Sequence, residues 1–203
     1  MAERGDLGGA QGRVRLVLAS TSPQRRAILE QLRIPFDAVA PAYDECDEPH
    51  LSPVELVRAH AERKARSLHE DGDLTLGVDT AVVLDGKVYG KPADGGGADR
   101  MLRELSGRSH LVVSGLCLLG PAFEVVRDAQ TTVVFRSLST ADVALYLASG
   151  EWRGRAGAYA IQGLGGGFVE RIEGDYLNVV GLPGALLIDL LERHAPGLLE
   201  NRS

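Results

Sequence analysis

The stretch Leu74 to Leu84, LTLGVDTAVVL, constrains the fold of this chain more than any other. Its branched apolar residues read as a buried strand. The Asp85-Gly86 pair that follows is a strong signal for a two-residue hairpin, with Lys87 to Gly90 returning antiparallel. Strand and helix patterns alternate around it. Arg15 to Ala19 reads as a strand, and Ser22-Pro23 opens a helix with an Ile28, Leu29, Leu32 stripe. Ile34 to Ala40 reads as a strand and Pro41 to Leu51 as an acidic loop. Ser52-Pro53 with Glu55 predicts a capping box on a helix reaching His69. Further helices are expected over Ala98 to Leu105, after Ser139-Thr140 to Ser149, and from Gly181-Leu182-Pro183 to His194. Strands are expected over His110 to Leu119, in a partner ending at Phe135, and around Phe168 to Ile172. A hairpin within an alternating pattern predicts an α/β fold whose twisted sheet is mixed, flanked by helices. One domain is expected over residues 14–195, between a Gly-rich tail (1–13) and a short C-terminal tail (196–203).

Composition narrows the function classes. The 22 basic and 28 acidic residues of the 203-residue chain leave a net charge of −6. A nucleic-acid-coating protein is usually basic, so no nucleic-acid partner is expected. No apolar run reaches the ~18 residues of a membrane span, so no membrane partner is expected either. The start, MAERGDLGGAQG, lacks the apolar core of a secretory signal. Two cysteines, Cys46 and Cys117, make no disulfide framework, which suits a cytoplasmic protein.

Several charges fall where core faces should be. Gln24, Arg25 and Arg26 occupy the first turn of the first helix, where cations oppose the helix dipole. Arg25 shares the inward face of Ile28, Leu29 and Leu32. A docked anion would account for it: backbone N–H groups, Ser20, Ser22 and the Arg25 fork together suit a phosphate. An ordinary solvated helix start is the plain alternative. On the second helix, Val54, Val57, Ala61, Ala65 and Leu68 form an apolar stripe, and Lys64 lies within ~20° of Val57. Lys64 either snorkels along the core edge or aims into a cleft as a phosphate donor.

Asp79 is the sharpest signal, because an ionised carboxylate in a buried strand needs a cation, a metal or strong donors. It suits a proton acceptor or a metal ligand; capping a neighbouring turn is the bland reading. Counting back from the hairpin opposes Thr80 to Lys91 and Asp79 to Pro92, so Lys91 returns near Asp79, on the face of Thr80 by strict alternation unless a bulge at Gly90 turns it. The acidic run Tyr43 to Glu48 includes Asp44 and Glu45, which are suited to Mg²⁺ beside phosphates or to simple solvation. The stretch 154–167 carries six glycines and lets backbone approach a ligand.

In order, LVLASTSPQRRAILEQL, Asp44-Glu45, Lys64, GVDTAVVLDGKVYGKP, LRELSGRSH and GRAGAYAIQGLGGGFVERIEGDYLNVVGLP resemble the motifs of the Maf family, which are house-cleaning nucleoside triphosphate pyrophosphatases. The resemblance spans about residues 14 to 194. It implies a fold like that of the inosine triphosphate pyrophosphatases, with two lobes around a cleft. It also implies a homodimer, and hydrolysis between the α and β phosphorus to a nucleoside monophosphate and pyrophosphate, with Mg²⁺ or Mn²⁺. By the resemblance Asp79 is the proton acceptor and Arg25 a phosphate binder. Glu45, Lys64 and Lys91 match charged site residues, Ser20 and Ser22 match the first-loop serines, and Glu45 and Asp79 are the expected metal ligands. Asp79-Thr80 and Ile161-Gln162-Gly163 match the dTTP/UTP branch, so Thr80 and Gln162 are expected at the base, whose donor and acceptor edge such side chains can meet. A 7-methyl-GTP preference and a non-catalytic nucleotide regulator are the alternatives. Three positions depart from the pattern: Gln24 where the branch usually has Arg, a position the resemblance ties to specificity and so an expected substrate-binding residue; Arg155 where Lys is common; and Ala160 where Gly is usual.

Overall fold

The computed structural model describes residues 15–46, 48–70 and 72–200; the expected N-terminal tail, residues 1–13, falls outside them. A seven-stranded mixed sheet is built around β3 (Leu74–Leu84). Along one edge β3 pairs antiparallel with β5 (Ser109–Gly120). Next comes β6 (Phe123–Phe135), then β7 (Val169–Glu173), each pair antiparallel. The other edge of β3 is shared. β1 (Leu16–Ala19) runs parallel along Leu74–Gly77, with β2 (Asp37–Val39) outside it. β4 (Lys87–Tyr89) pairs antiparallel along Val82–Leu84. Residues 78–81 lie in the fork between these two strands, with neither paired to them.

The helices are α1 (Pro23–Gln31), α2 (Pro53–Arg66), α3 (Gly95–Leu105), α4 (Thr140–Ser149), α5 (Tyr176–Val180), α6 (Gly184–His194) and α7 (Gly197–Glu200). Alternation along β3 sends Gly77, Asp79, Ala81 and Val83 to one face and Leu76, Val78, Thr80 and Val82 to the other. The first face is covered by α2, whose Val57, Ala61 and Ala65 are buried. Gly77 and Gly115 let it in: a Cβ on Gly77 would sit 2.0 Å from the Ala61 carbonyl oxygen, and one on Gly115 2.2 Å from that of Val57. The second face carries two separate cores. One packs Leu76, Val78 and Leu116 with Ile28, Leu29 and Leu187. The other packs Val82, Leu84 and Val112 with Leu102, Phe135 and Tyr146. These are the two lobes, and Thr80 stands on the boundary between them.

The mixed sheet and the capping box follow the sequence; Ser52 N–H donates to Glu55 Oε2 at 2.9 Å and Glu55 N–H to Ser52 Oγ at 3.3 Å. Several boundaries move. β2 begins at Asp37, not Ile34, because Ile34 N–H still closes α1 onto the Leu29 carbonyl and Pro35 has no N–H. α2 ends at Arg66, three residues short of His69, where Ser67 Oγ donates to the Lys64 carbonyl. α3 starts at Gly95, since Asp94 Oδ1 accepts from Gly97 N–H and caps a helix through three glycines. The expected C-terminal tail contains α7, whose Leu198 is buried in the first core. The hairpin count also fails beyond Val82–Tyr89: the chain leaves the ladder at Gly90, whose carbonyl accepts from Gly157 N–H, so Lys91 opposes neither Thr80 nor Asp79. Among the described residues no helix is long and apolar enough to cross a membrane.

Candidate functional site

A cleft of about 300 Å³ opens at the fork, where β1 ends, and is lined by Ser20, Ser22, Gln24, Arg25, Glu45, Lys64, Thr80 and Lys91 among others. Ligands of open α/β sheets commonly sit beyond strand ends at such a break in strand order. Charges reach the cleft from both faces of the sheet.

On the α2 face, Lys64 is buried, carried inward by the same stripe as Val57 and Ala61. Its Nζ meets Asp79 Oδ1 at 2.6 Å and Glu45 Oε1 at 2.5 Å, and lies 3.5 Å from the Val78 carbonyl. One buried ammonium thus holds two carboxylates, which offsets the cost of keeping Asp79 ionised inside a sheet. Asp79 Oδ2 accepts no hydrogen bond from the described residues. Burial pushes the Glu45 carboxyl up, but the Lys64 hydrogen bond and the charges of Lys64, Lys91 and His60 outweigh it and hold it below the usual carboxylate range. The loop that carries Glu45 is tied to α2 on either side of that residue, while Asp44, Glu45 and Cys46 stay exposed. Tyr43 Oη and His60 Nδ1 are 2.8 Å apart, Arg63 Nη1 donates to Tyr43 Oη at 3.2 Å, and Arg63 pairs with Glu48.

On the other face, the Arg25 fork is fully engaged. Nε donates to the Gly181 carbonyl at 3.0 Å, Nη1 to Ser20 Oγ at 3.2 Å and Nη2 to Thr80 Oγ1 at 3.5 Å. Burial pulls this guanidinium down from its ordinary value, while the Asp79 and Glu45 charges push it back up. Thr80 Oγ1 also lies 2.8 Å from buried Ser114 Oγ. Ser22 N–H donates to Ser20 Oγ at 3.1 Å and Ser22 Oγ to Gln24 Oε1 at 3.1 Å, which sets the turn into α1.

Nine of the ten sequence-predicted residues therefore converge, with Asp79 behind Lys64. Gln162 does not join them: a turn closed by Gly163 N–H on the Ala160 carbonyl leaves it exposed and outside the cleft lining. Sequence reasoning overlooked the Gly181 carbonyl, the anchor for both Arg25 and Thr80; the break at Gly181-Leu182-Pro183 was the available signal. It also overlooked Tyr159 as a cleft wall.

Tyr159 is held from behind by His110, whose Nε2 lies 3.0 Å from Tyr159 Oη in an edge-on cluster with Phe135. Burial lowers His110 from 6.5 to about 4. Above pH 6.5 the imidazole is neutral in both folded and unfolded chains and contributes no pH dependence. As pH falls from 6.5 toward 4 the unfolded chain takes the proton first, so stability is lost, by about 2 kcal/mol at pH 5. Urea unfolding at pH 7.5 and pH 5 checks this: the parent should lose about 2 kcal/mol more than His110→Gln. Equal losses would rule the buried neutral imidazole out.

Residues 15–194 match the family described as Maf-like protein. The chain belongs to that family. Among curated relatives, the "dTTP/UTP pyrophosphatase" of Gloeobacter violaceus is 44% identical over 180 residues, covering 88% of this chain and 95% of the relative. That of Symbiobacterium thermophilum is 47% identical over 170 residues, covering 83% and 88%. That of Syntrophomonas wolfei is 44% identical over 192 residues, covering 91% and 100%. Among solved structures, the Ham1 protein of Staphylococcus aureus aligns with a TM-score of 0.43 and 13% identity, covering 60% of this Maf chain and 71% of that one.

Proposed function

We propose that this Maf protein is a nucleoside triphosphate pyrophosphatase that hydrolyses dTTP and UTP to the monophosphate and pyrophosphate. The observation that carries the reading is the Asp79–Lys64–Glu45 cluster, whose Lys64 and Glu45 line a cleft also lined by Arg25, Ser20 and Thr80. The names of the curated relatives support the substrate class.

The proposed roles follow from charge and reach. Arg25, Ser20, Ser22 and Lys91 hold the triphosphate oxygens, as charge-assisted donors do. Lys64 fixes Asp79 through Oδ1 and leaves Oδ2 to accept a proton from water. The water oxygen then bonds to the α phosphorus, and the α–β anhydride bond breaks with its electron pair leaving on pyrophosphate. Thr80 faces the nucleotide from β3 and Gln24 from the first turn of α1.

Two carboxylates meeting at one ammonium fit Mg²⁺ or Mn²⁺, which is characteristically held by one or two carboxylates plus substrate phosphate oxygens. Glu45 and Asp79 would be those ligands. Among the described residues no group of three or more His, Cys, Asp or Glu comes together. When bound, the cation supplies neutralisation of phosphate charge.

A nucleotide panel with Mg²⁺ tests the reading: dTTP, UTP, CTP, GTP, 7-methyl-GTP and ITP, with pyrophosphate and monophosphate measured. The dTTP and UTP values of kcat/KM should lead the rest by about tenfold or more, the discrimination of one or two well-placed contacts. A lead for 7-methyl-GTP would overturn the base assignment. Tight binding without pyrophosphate release would favour a nucleotide regulator.

A further inference from the structure

Among the cations of the cleft, Arg155 stands apart. Arg25 donates to three oxygens and Lys64 holds two carboxylates. Lys91 is exposed and solvated. Arg155 lines the same cleft and makes no ion pair with any described residue, and its Nε is buried with no hydrogen-bond partner. A buried N–H of a charged group is rarely left unmade in a folded protein unless something external completes it. Its backbone is well anchored: Arg155 N–H donates to the Trp152 carbonyl at 3.2 Å, and Ala158 N–H to the Arg155 carbonyl at 3.1 Å. The adjoining 3₁₀ turn, Ala156–Ala158, is tied to the end of the β3–β4 hairpin by the Gly157 N–H on the Gly90 carbonyl. The guanidinium therefore stands on a fixed segment beside Tyr159 and Val82, on the wall of the second lobe facing the Ser20–Arg25 loop of the first.

We infer that Arg155 is a substrate-binding residue whose Nε–H, with its fork, donates to an oxygen of the bound nucleotide. This deepens the proposed function and rests on it for the identity of the ligand. The chemistry is an oxygen acceptor presented in a plane that a guanidinium can meet. Two parts of a nucleoside triphosphate supply one: a phosphate oxygen, or a carbonyl of the pyrimidine base.

The test compares parent, Arg155→Ala and Arg155→Lys, with inorganic triphosphate as competitor. Arg155→Ala should raise KM for dTTP about tenfold with kcat within about threefold, and Arg155→Lys should recover part of the loss, since it restores the charge without the Nε donor. If the oxygen belongs to a phosphate, Arg155→Ala also raises the Ki of inorganic triphosphate. If it belongs to the base, that Ki stays as in the parent. An unchanged KM in folded Arg155→Ala overturns the inference. Calorimetric binding of dTTP to Asp79→Asn and to Asp79→Asn/Arg155→Ala separates the two readings. An inactive parent whose Asp79→Asn form binds dTTP would overturn the hydrolase reading, while equal affinity in the two variants would overturn the Arg155 inference.

Discussion

Asp79→Asn should lower kcat for dTTP by about 10²–10⁴-fold, the usual contribution of a positioned general base, with KM within about threefold. The change is nearly isosteric, so any loss reports on proton acceptance and charge rather than on packing. Lys64 keeps its second carboxylate, Glu45 at 2.5 Å, so the buried ammonium is not left unpaired and the cleft wall should stand. Arg25, Ser20 and Lys91 are untouched, which is why binding should survive. In barrier terms the loss is about 3–5 kcal/mol at 1.36 kcal/mol per tenfold. Single-turnover and steady-state pyrophosphate release, beside thermal melts of parent and variant, measure it. A kcat within threefold of the parent in a folded variant would remove Asp79 from the chemistry and leave it as a partner that merely keeps Lys64 charged and buried.

What was legible in the sequence was what rests on periodicity. The Lys64 position follows from the stripe of α2, and Arg25 from the same rule on α1; each points where spacing sends it because the apolar residues beside it must be buried. Local signals also sufficed for the hairpin turn and the capping box. What was not legible depended on where the chain stops pairing. Gly90 marked a possible bulge, but the residues 87–91 do not say that the ladder ends at Tyr89; a contact 67 residues away, Gly157 N–H to the Gly90 carbonyl, holds the strand off. The same holds for Gly181, whose carbonyl collects Arg25 and Thr80 only because α5 is seated over β5 and β6 by Asn178, with Nδ2 donating to the Val112 carbonyl at 3.1 Å and Thr131 Oγ1 at 3.0 Å. Gln162 was placed at the base by motif likeness alone, and the turn at Ala160–Gly163 points it elsewhere.

The fork explains why the site gathers charge in a mostly apolar molecule. Were β1 longer by four residues, or β4 extended toward Asp79, the backbone of 78–81 would be paired and both faces of β3 sealed. Because the edge is open there, side chains from both faces reach one cavity: Lys64, with Asp79 behind it, from below, and Thr80 with its Arg25 from above. Two cores that do not merge across Thr80 leave the space itself.

That geometry depends on α2 touching the sheet, which makes the two glycines beneath it the most sensitive positions for stability. Gly115→Ala places a methyl 2.2 Å from the Val57 carbonyl oxygen and 2.6 Å from Arg58 N, and Gly77→Ala places one 2.0 Å from the Ala61 carbonyl oxygen. These are backbone atoms of a helix packed on a sheet, and no side chain can rotate out of the way. Neither glycine has a positive φ, so the penalty is one of space rather than of backbone conformation. The helix must retreat, opening the contacts of Val57, Ala61 and Ala65 and withdrawing Lys64 from Asp79. Overpacking of this kind costs about 1–3 kcal/mol and occasionally more; with rigid backbone on both sides, about 3 kcal/mol is expected for each substitution. Gly167→Ala serves as the control, since a Cβ there meets nothing within 4 Å, and it should stay within about 0.5 kcal/mol. Urea midpoints give the stabilities. Turnover under conditions where each variant remains folded should fall further for Gly77→Ala, which displaces α2 one turn from Lys64, than for Gly115→Ala, which displaces it at Val57. Parental stability in both variants would mean that α2 rides on the sheet loosely enough to absorb a methyl, and that Lys64 is held over Asp79 by its carboxylate partners alone.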